Sequence, residues 1–426
     1  MSDSELAILG GKPVRNTPWP RWPVATSQTM ANLEAVIHSG RWAISGCLTN
    51  SSGYEQMFCQ KFANYQGSSY AVATTNGSAA IKIAMQEVGV EPGTEVIVPG
   101  LTWVACASTV VELGAIPVLV DIDLKTLSIS VKAAEAAITD RTVAILVVHA
   151  YCSAADIEGF VNLANRRGIA LIEDCSQVHG AEWQGKKLGS FGQLGVFSLQ
   201  QTKVLTCGEG GIVTCNSPDS YRRLQQYRGN GRIYTTDQKP GQLALVEIGE
   251  VWGANHALSE IHSAIALAQL EQLDAQNTLR EVNASYLANA LEKIPGVNTI
   301  TPPSGLTKRT YYDYVIQLNP DIVGPFSIHQ VVTAMAAEIG TFIETLDAPM
   351  NSNILYNPLL FKSVTDKKEL EQLNPKRFDL PFAHQAYNTS FAFLHHLLLA
   401  TTKDMDDIVS AVLKILGSIE KLRDKE

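Results

Sequence analysis

Ile169-Ala-Leu-Ile-Glu-Asp174 is a short apolar run that ends in two acids, and Leu194-Gly-Val-Phe-Ser198 follows it as a second run of the same kind. Neither alternates polar with apolar residues, as a strand with one wet face does. Near-continuous apolar runs of this length mark strands covered on both faces of a parallel sheet. Upstream, Tyr70-Ala-Val-Ala-Thr74, Glu95-Val-Ile-Val-Pro99, Ile116-Pro-Val-Leu-Val-Asp121 and Val143-Ala-Ile-Leu-Val-Val-His149 repeat the pattern, and downstream Gly211-Ile-Val-Thr-Cys215 continues it. Residues 78–88, 130–138 and 155–166, which lie between them, carry apolar residues at helical spacing. Strand and helix in alternation predict an α/β layered domain with a mostly parallel sheet and a ligand at the carboxyl ends of its strands.

Beyond this core, 257–291 reads as a long, mostly helical stretch that links two domains. Pro295-Gly296 and Pro302-Pro303-Ser-Gly305 then punctuate the chain. Tyr314–Leu318, Phe391–Leu399 and a final helix over Met405–Leu422 suggest a smaller α+β unit. The expected division is an arm over 1–50, a large α/β domain over 51–295 that includes the linking helix, and a small C-terminal α+β domain over 296–426. With Pro13, Pro18, Pro20, Pro23 and three tryptophans (Trp19, Trp22 and Trp42), the arm reads as irregular, packing on a partner chain or on its own domain.

Composition sets the class. The chain has 426 residues, 46% of them hydrophobic and 18% charged, enough to bury a large core. A net charge of -9 disfavours nucleic acid or an anionic membrane as partner. The seven cysteines are scattered, with no CxxC pair and no histidine cluster at zinc spacing, so reduced thiols and no metal are expected. The start, Met1-Ser-Asp-Ser-Glu-Leu6, has no basic or apolar leader pattern, and no run approaches about eighteen apolar residues. A cytoplasmic location is the expectation.

The chemistry centres on Phe197-Ser-Leu-Gln-Gln-Thr-Lys-Val-Leu-Thr-Cys-Gly-Glu-Gly-Gly211. Lys203 lies on a loop between two strands, with small and hydroxyl residues around it. Pyridoxal phosphate needs an amine for its aldehyde, an anion beside its ring nitrogen, donors for its phosphate and a flat group against its ring. Lys203 offers the amine, although most lysines are solvated surface residues. Asp174, at the end of a buried strand, offers the anion or else caps the next turn. Thr74-Thr-Asn-Gly-Ser78 offers helix N-terminal N–H groups, with Gly77 allowing close approach and Ser78 adding a hydroxyl, but plain N-capping has the same pattern. Trp103 offers a ring, or a core side chain.

Read together, Glu173-Asp174-Cys-Ser-Gln177-Val-His179-Gly180, Phe197-Ser198, Lys203 through Gly211 and Gly253-Ala-Asn255-His-Ala-Leu-Ser-Glu260 resemble the DegT/DnrJ/EryC1/StrS family of sugar and cyclitol aminotransferases. The resemblance runs from Gly10-Gly-Lys-Pro-Val14 to the final helix. It implies a fold-type I architecture, a homodimer with active sites at the interface and ping-pong transamination. It also implies a Schiff-base role for Lys203, pairing of Asp174 with the pyridine nitrogen and a hydrogen bond from Gln177 to the ring oxygen. Phosphate contacts follow for Ser198, Gly77 and Ser78, stacking for Trp103, and for Asn255 a reach to the neighbouring subunit's phosphate. The dehydratase branch carries a histidine where Lys203 stands.

Gln200-Gln201 is similar to the cyclitol branch, and Gly253-Ala-Asn-His-Ala257 lacks the arginine that many nucleotide-sugar members carry two residues after the asparagine. The implied reaction moves an amine from L-glutamine or L-glutamate to a ring ketone such as 2-deoxy-scyllo-inosose. The rivals are a nucleotide-keto-sugar aminotransferase and a non-catalytic protein of the same fold. Tyr311-Tyr312-Asp-Tyr314 and His395-His396 are candidate substrate-pocket residues, with ordinary strand packing as the alternative.

Overall fold

The computed structural model describes residues 5–47, 53–235, 239–323, 327–360 and 367–422; residues 1–4 and 48–50 of the arm, and 51–52 after it, lie outside this set. The apolar runs form seven strands: β1 (Tyr70–Thr74), β2 (Glu95–Pro99), β3 (Ile116–Val120), β4 (Thr142–Val148), β5 (Ala170–Asp174), β6 (Leu194–Ser198) and β7 (Gly211–Cys215). Their order across one sheet is β1-β7-β6-β5-β4-β2-β3. β3, β2, β4, β5 and β6 pair in parallel, and only β7 is reversed, antiparallel to β6 and to β1. This is a fold-type I sheet.

Side chains on a strand alternate between faces, so Val96 and Val98 of β2 enter one apolar cluster while Ile97 enters the other. Ile172 and Val196 likewise oppose Leu171 and Phe197. Both faces are covered, and the runs therefore carry no polar alternation. The stretch 257–291 is two helices, Glu260–Leu270 and Leu273–Leu291, the first capped by the Ser259 hydroxyl accepting the His262 N–H at 3.1 Å.

The second sheet is antiparallel, in the order Val297–Thr299, Asp313–Leu318, Ser390–Leu394, Glu344–Thr345. It is shorter at one place than the sequence suggested: after Leu394 the chain turns into a 3₁₀ segment, His395–Leu399. The final helix spans Met405–Leu416 and is followed by a separate turn, Ile419–Leu422.

The arm is not irregular throughout. Residues Ser27–Ser39 form a helix opened by Thr26, whose hydroxyl accepts the Thr29 N–H at 3.1 Å while the Thr29 hydroxyl accepts the Thr26 N–H at 3.1 Å. Its buried positions are Thr29, Asn32 and Val36, so the buried face has little apolar periodicity to read. Before it, Trp19 is buried under the Arg15 guanidinium, 3.8 Å from the ring centroid, and donates to the Ile339 carbonyl at 2.7 Å. Trp42 is exposed. Among the described residues no helix is long and apolar enough to cross a membrane.

Candidate active site

The carboxyl ends of β1, β2, β4, β5 and β6 open on one cavity of about 860 Å³. At the end of β1, Asn76 caps the helix Gly77–Glu87, its Oδ1 accepting the Ala79 N–H at 2.8 Å. The N–H groups of Gly77 and Ser78 then have no intrahelical acceptor, as at any helix start. Two glycines bring backbone close here. A Cβ on Gly77 would lie 2.8 Å from Ser198 Cβ, and one on Gly211 would lie 2.3 Å from the Asn76 carbonyl oxygen.

β5 turns its last two side chains to opposite faces. Glu173 looks away from the cavity and accepts N–H bonds from Gly189, Phe191 and Gly192 at 2.7–2.8 Å, fixing the loop ahead of β6. Asp174 faces the cavity at 4% exposure, accepts from the Ser176 N–H at 2.9 Å and lies 3.6 Å from the Cys106 thiol. Gln177 also lines the cavity, and its Oε1 accepts the Tyr151 N–H at 2.9 Å. Tyr151 and Cys152 both sit in the left-handed region, with φ of 56° and 51°. This costly conformation for residues with a Cβ is held by the Arg309 guanidinium on the Cys152 carbonyl and by the Tyr151 hydroxyl, which donates to Asp347 at 2.8 Å.

Lys203 ends a tight turn in which its N–H donates to the Gln200 carbonyl at 2.8 Å. Gln200 Oε1 accepts both the N–H and the hydroxyl of Thr202 at 2.7 Å, locking the turn. The amine lies 3.8 Å from the centroid of the Tyr312 ring. Behind the turn, Arg280 Nε donates to His395 Nδ1 at 3.1 Å, which fixes the neutral tautomer, and His395 Nε2–H donates to the Thr202 carbonyl at 3.0 Å. Burial pushes the His395 pKa well below its usual value and lowers that of Arg280 to about 9. Trp22 covers the outside, edge-on to His395 at 4.6 Å, with its Nε1–H on the Gln201 carbonyl at 3.1 Å. Burial lowers the Lys203 pKa, while Asp174, Asp347, Asp313 and Glu344 pull it back up.

The far wall is acidic and comes from the second sheet. Asp313, Glu344 and Asp347 all line the cavity. Burial first, then neighbouring acids, raise Asp313 and Glu344 to about 7, and burial raises Asp347 as well.

Comparison with known proteins agrees with this arrangement. Residues 25–413 match the DegT/DnrJ/EryC1/StrS aminotransferase family. The chain belongs to that family. Among its relatives, the L-glutamine:scyllo-inosose aminotransferase of Streptomyces griseus is 41% identical over 99% of each chain. The L-glutamine:2-deoxy-scyllo-inosose aminotransferase of Streptoalloteichus tenebrarius is 43% identical over 98% of this chain and 99% of its own. The X-ray structure of an aminotransferase from Psychrobacter cryohalolentis superposes with a TM-score of 0.80 at 27% identity, covering 95% of this chain and all of that one. The chain is therefore a pyridoxal-phosphate-dependent aminotransferase.

The residues present in this aminotransferase fit the cofactor. A buried carboxylate without an ion-pair partner among the described residues, a lysine of depressed pKa and a helix start kept open by Gly77 line one cavity. Of the residues singled out in the sequence, Lys203, Asp174, Gln177, Ser198, Gly77, Ser78 and Trp103 all line it. Trp103 is no core residue; it stands at 55% exposure. Asn255 is exposed and does not line the cavity of its own chain; its backbone bridges to Gly229. His395 and His396 line no part of the cavity either: His395 buttresses the lysine turn from behind. Tyr311 and Tyr314 stack on each other, and Tyr314 on Phe393, leaving Tyr312 and Asp313 as the cavity residues of that stretch. Glu344 and Asp347 gave no signal in the sequence. They are ordinary acids until strand pairing carries them to the cavity.

Proposed function

We propose that this enzyme moves the amino group of L-glutamine to the ring ketone of a cyclitol such as 2-deoxy-scyllo-inosose, in aminocyclitol biosynthesis. The observation that carries the residue assignment is that Lys203, Asp174 and the N-terminus of the helix Gly77–Glu87 line a single cavity. The substrate class rests on relatives named for scyllo-inosose substrates at 41% and 43% identity over nearly the whole chain.

Pyridoxal phosphate, when bound, supplies the electron sink that stabilises a carbanion at the carbon losing its proton. Asp174 would keep the ring nitrogen protonated, because a buried carboxylate favours a cationic partner. The N–H groups of Gly77 and Ser78, with the hydroxyls of Ser78 and Ser198, would take the phosphate at a helix N-terminus. Gln177 has its Oε1 committed to Tyr151, which leaves its NH₂ to donate to the cofactor's ring oxygen. Trp103 would stack on the ring. The Lys203 amine would hold the cofactor covalently between turnovers. Once free, its depressed pKa suits it to take the proton from the donor's α-carbon and to return one to the acceptor's carbon.

In the same reading 51–295 forms the cofactor domain and 296–426 the smaller one. The chain acts as a cytoplasmic homodimer with Asn255 reaching the partner's phosphate. The exposed Trp42 and Trp252 suit a chain with a second subunit to cover them.

The test is to convert the enzyme to its pyridoxamine form with L-glutamine and offer it keto-cyclitols and UDP- or dTDP-keto sugars. Discharge by 2-deoxy-scyllo-inosose is the expected result. Discharge by the nucleotide sugars alone would replace this reading.

A further inference from the structure

The cavity wall opposite the cofactor residues has a composition that the transamination chemistry does not require. Among the described cavity-lining residues there are five carboxylates (Asp174, Glu209, Asp313, Glu344 and Asp347) and one amine, Lys203, with no arginine. Three of the five come from the second sheet and the segment just after its edge strand. Asp313 opens the strand Asp313–Leu318, Glu344 sits on the edge strand and pairs with Ala392, and Asp347 follows three residues later. None of the three forms an ion pair among the described residues.

One of the three, Asp313, has hydrogen bonding left for an occupant to complete. Asp313 is 4% exposed, yet its Oδ1 has no hydrogen-bond partner among the described residues. A buried carboxylate oxygen left unpaired is costly, and such groups occur in native proteins where a ligand or water completes them. Asp347 is held from the other side by the Tyr151 hydroxyl, on a turn that keeps two non-glycine residues at positive φ. The large sheet thus spends backbone strain to fix one of the three acids. A wall built for packing alone would carry apolar groups here.

We infer that Asp313, Glu344 and Asp347 form the acceptor subsite and take hydrogen bonds from the hydroxyls of a neutral, polyhydroxylated ring, excluding anionic acceptors. A carboxylate accepts from hydroxyls in short, charge-assisted bonds, and one carboxylate can take two neighbouring hydroxyls at once. A phosphate-bearing acceptor meets repulsion from the same wall, with no arginine among the described residues of the cavity lining to offset it. Asp174 and Glu209 lie outside the subsite: Asp174 belongs to the cofactor, and Glu209 follows the lysine loop.

This inference deepens the proposed cyclitol specificity and rests on it for the identity of the ring, but its test does not use the acceptor. Calorimetric titration of the holoenzyme with myo-inositol, and separately with UDP, at pH 8 reads the subsite directly. The parent should bind myo-inositol more tightly than UDP. Asp313→Asn and Glu344→Gln should each weaken myo-inositol binding about tenfold, the loss expected when a charge-assisted bond becomes a neutral one. The two variants are near-isosteric, and their circular dichroism and cofactor absorbance check that they fold. As a kinetic counterpart, the ratio of acceptor to donor half-reaction rates should fall about tenfold in both. UDP binding as tight as that of myo-inositol, or inositol affinity unchanged in both variants, would overturn the assignment. Failure of every keto-cyclitol to discharge the pyridoxamine form would sink the proposed function instead, and would leave the inositol result standing.

Discussion

Gly77→Ala isolates the phosphate end of the site. The glycine has no positive φ, so an alanine meets no backbone penalty there. Through the unfolded chain the substitution would gain about 0.4–1 kcal/mol. Against that gain stands a clash, because the new Cβ would lie 2.8 Å from Ser198 Cβ and 3.3 Å from Ser198 Cα. Ser198 ends a strand paired on both sides, so it cannot withdraw. Overpacking of this kind costs about 1–3 kcal/mol, and the clash wins by about 1–2 kcal/mol. Because the strain falls between two phosphate-binding groups, it should appear as weaker cofactor binding, by about tenfold. Equilibrium dialysis of pyridoxal phosphate against apo-enzyme measures it. A Gly77→Ala enzyme that binds the cofactor within threefold of the parent, and is more stable as apoprotein, would refute the idea that this glycine keeps the cradle open.

Two further outcomes follow from the wall and the buttress. Asp313 titrates near 7 in the folded chain, chiefly because it is buried, against about 3.9 when unfolded. The folded state therefore holds a proton that the unfolded state has released, and the associated stability is full below about pH 4 and is lost as pH rises through 7. Asp313→Asn should flatten this fall between pH 4 and 7, by up to about 4 kcal/mol. Urea midpoints of both apoproteins across that range check it, and parallel curves would contradict it. His395→Ala strands Arg280 Nε and the Thr202 carbonyl, both of which it now satisfies. Leaving a buried charged donor unpaired should cost about 2–4 kcal/mol, read by denaturant unfolding, with His395→Gln recovering part. An alanine variant as stable as the parent would mean that the buttress does nothing.

Much of the cofactor side was legible because a parallel sheet gathers the ends of its strands. Once Asp174, Ser198 and Asn76-Gly77-Ser78 are placed at strand ends, the fold type brings them together without long-range information. The acidic wall had no such signal. Glu344 reaches the cavity because its two-residue strand pairs with Ala392 and Phe391, nearly fifty residues away, and local periodicity cannot report that pairing. The helix Ser27–Ser39 was hidden by its polar buried face. His395 looked like a pocket residue because histidines are often functional; burial between Arg280 and the Thr202 carbonyl makes it structural instead. Asn255, exposed in a single chain, waits on the second subunit for its proposed role.

Lys203 is the amine proposed to hold pyridoxal phosphate. Borohydride reduction of the holoenzyme, followed by peptide mass mapping, tests it most directly. The pyridoxyl label should fall on the peptide containing Lys203 and disappear after prior treatment with L-glutamine. Label on any other lysine, or a Lys203→Ala enzyme that keeps the visible absorbance of a lysine-bound cofactor, would contradict it.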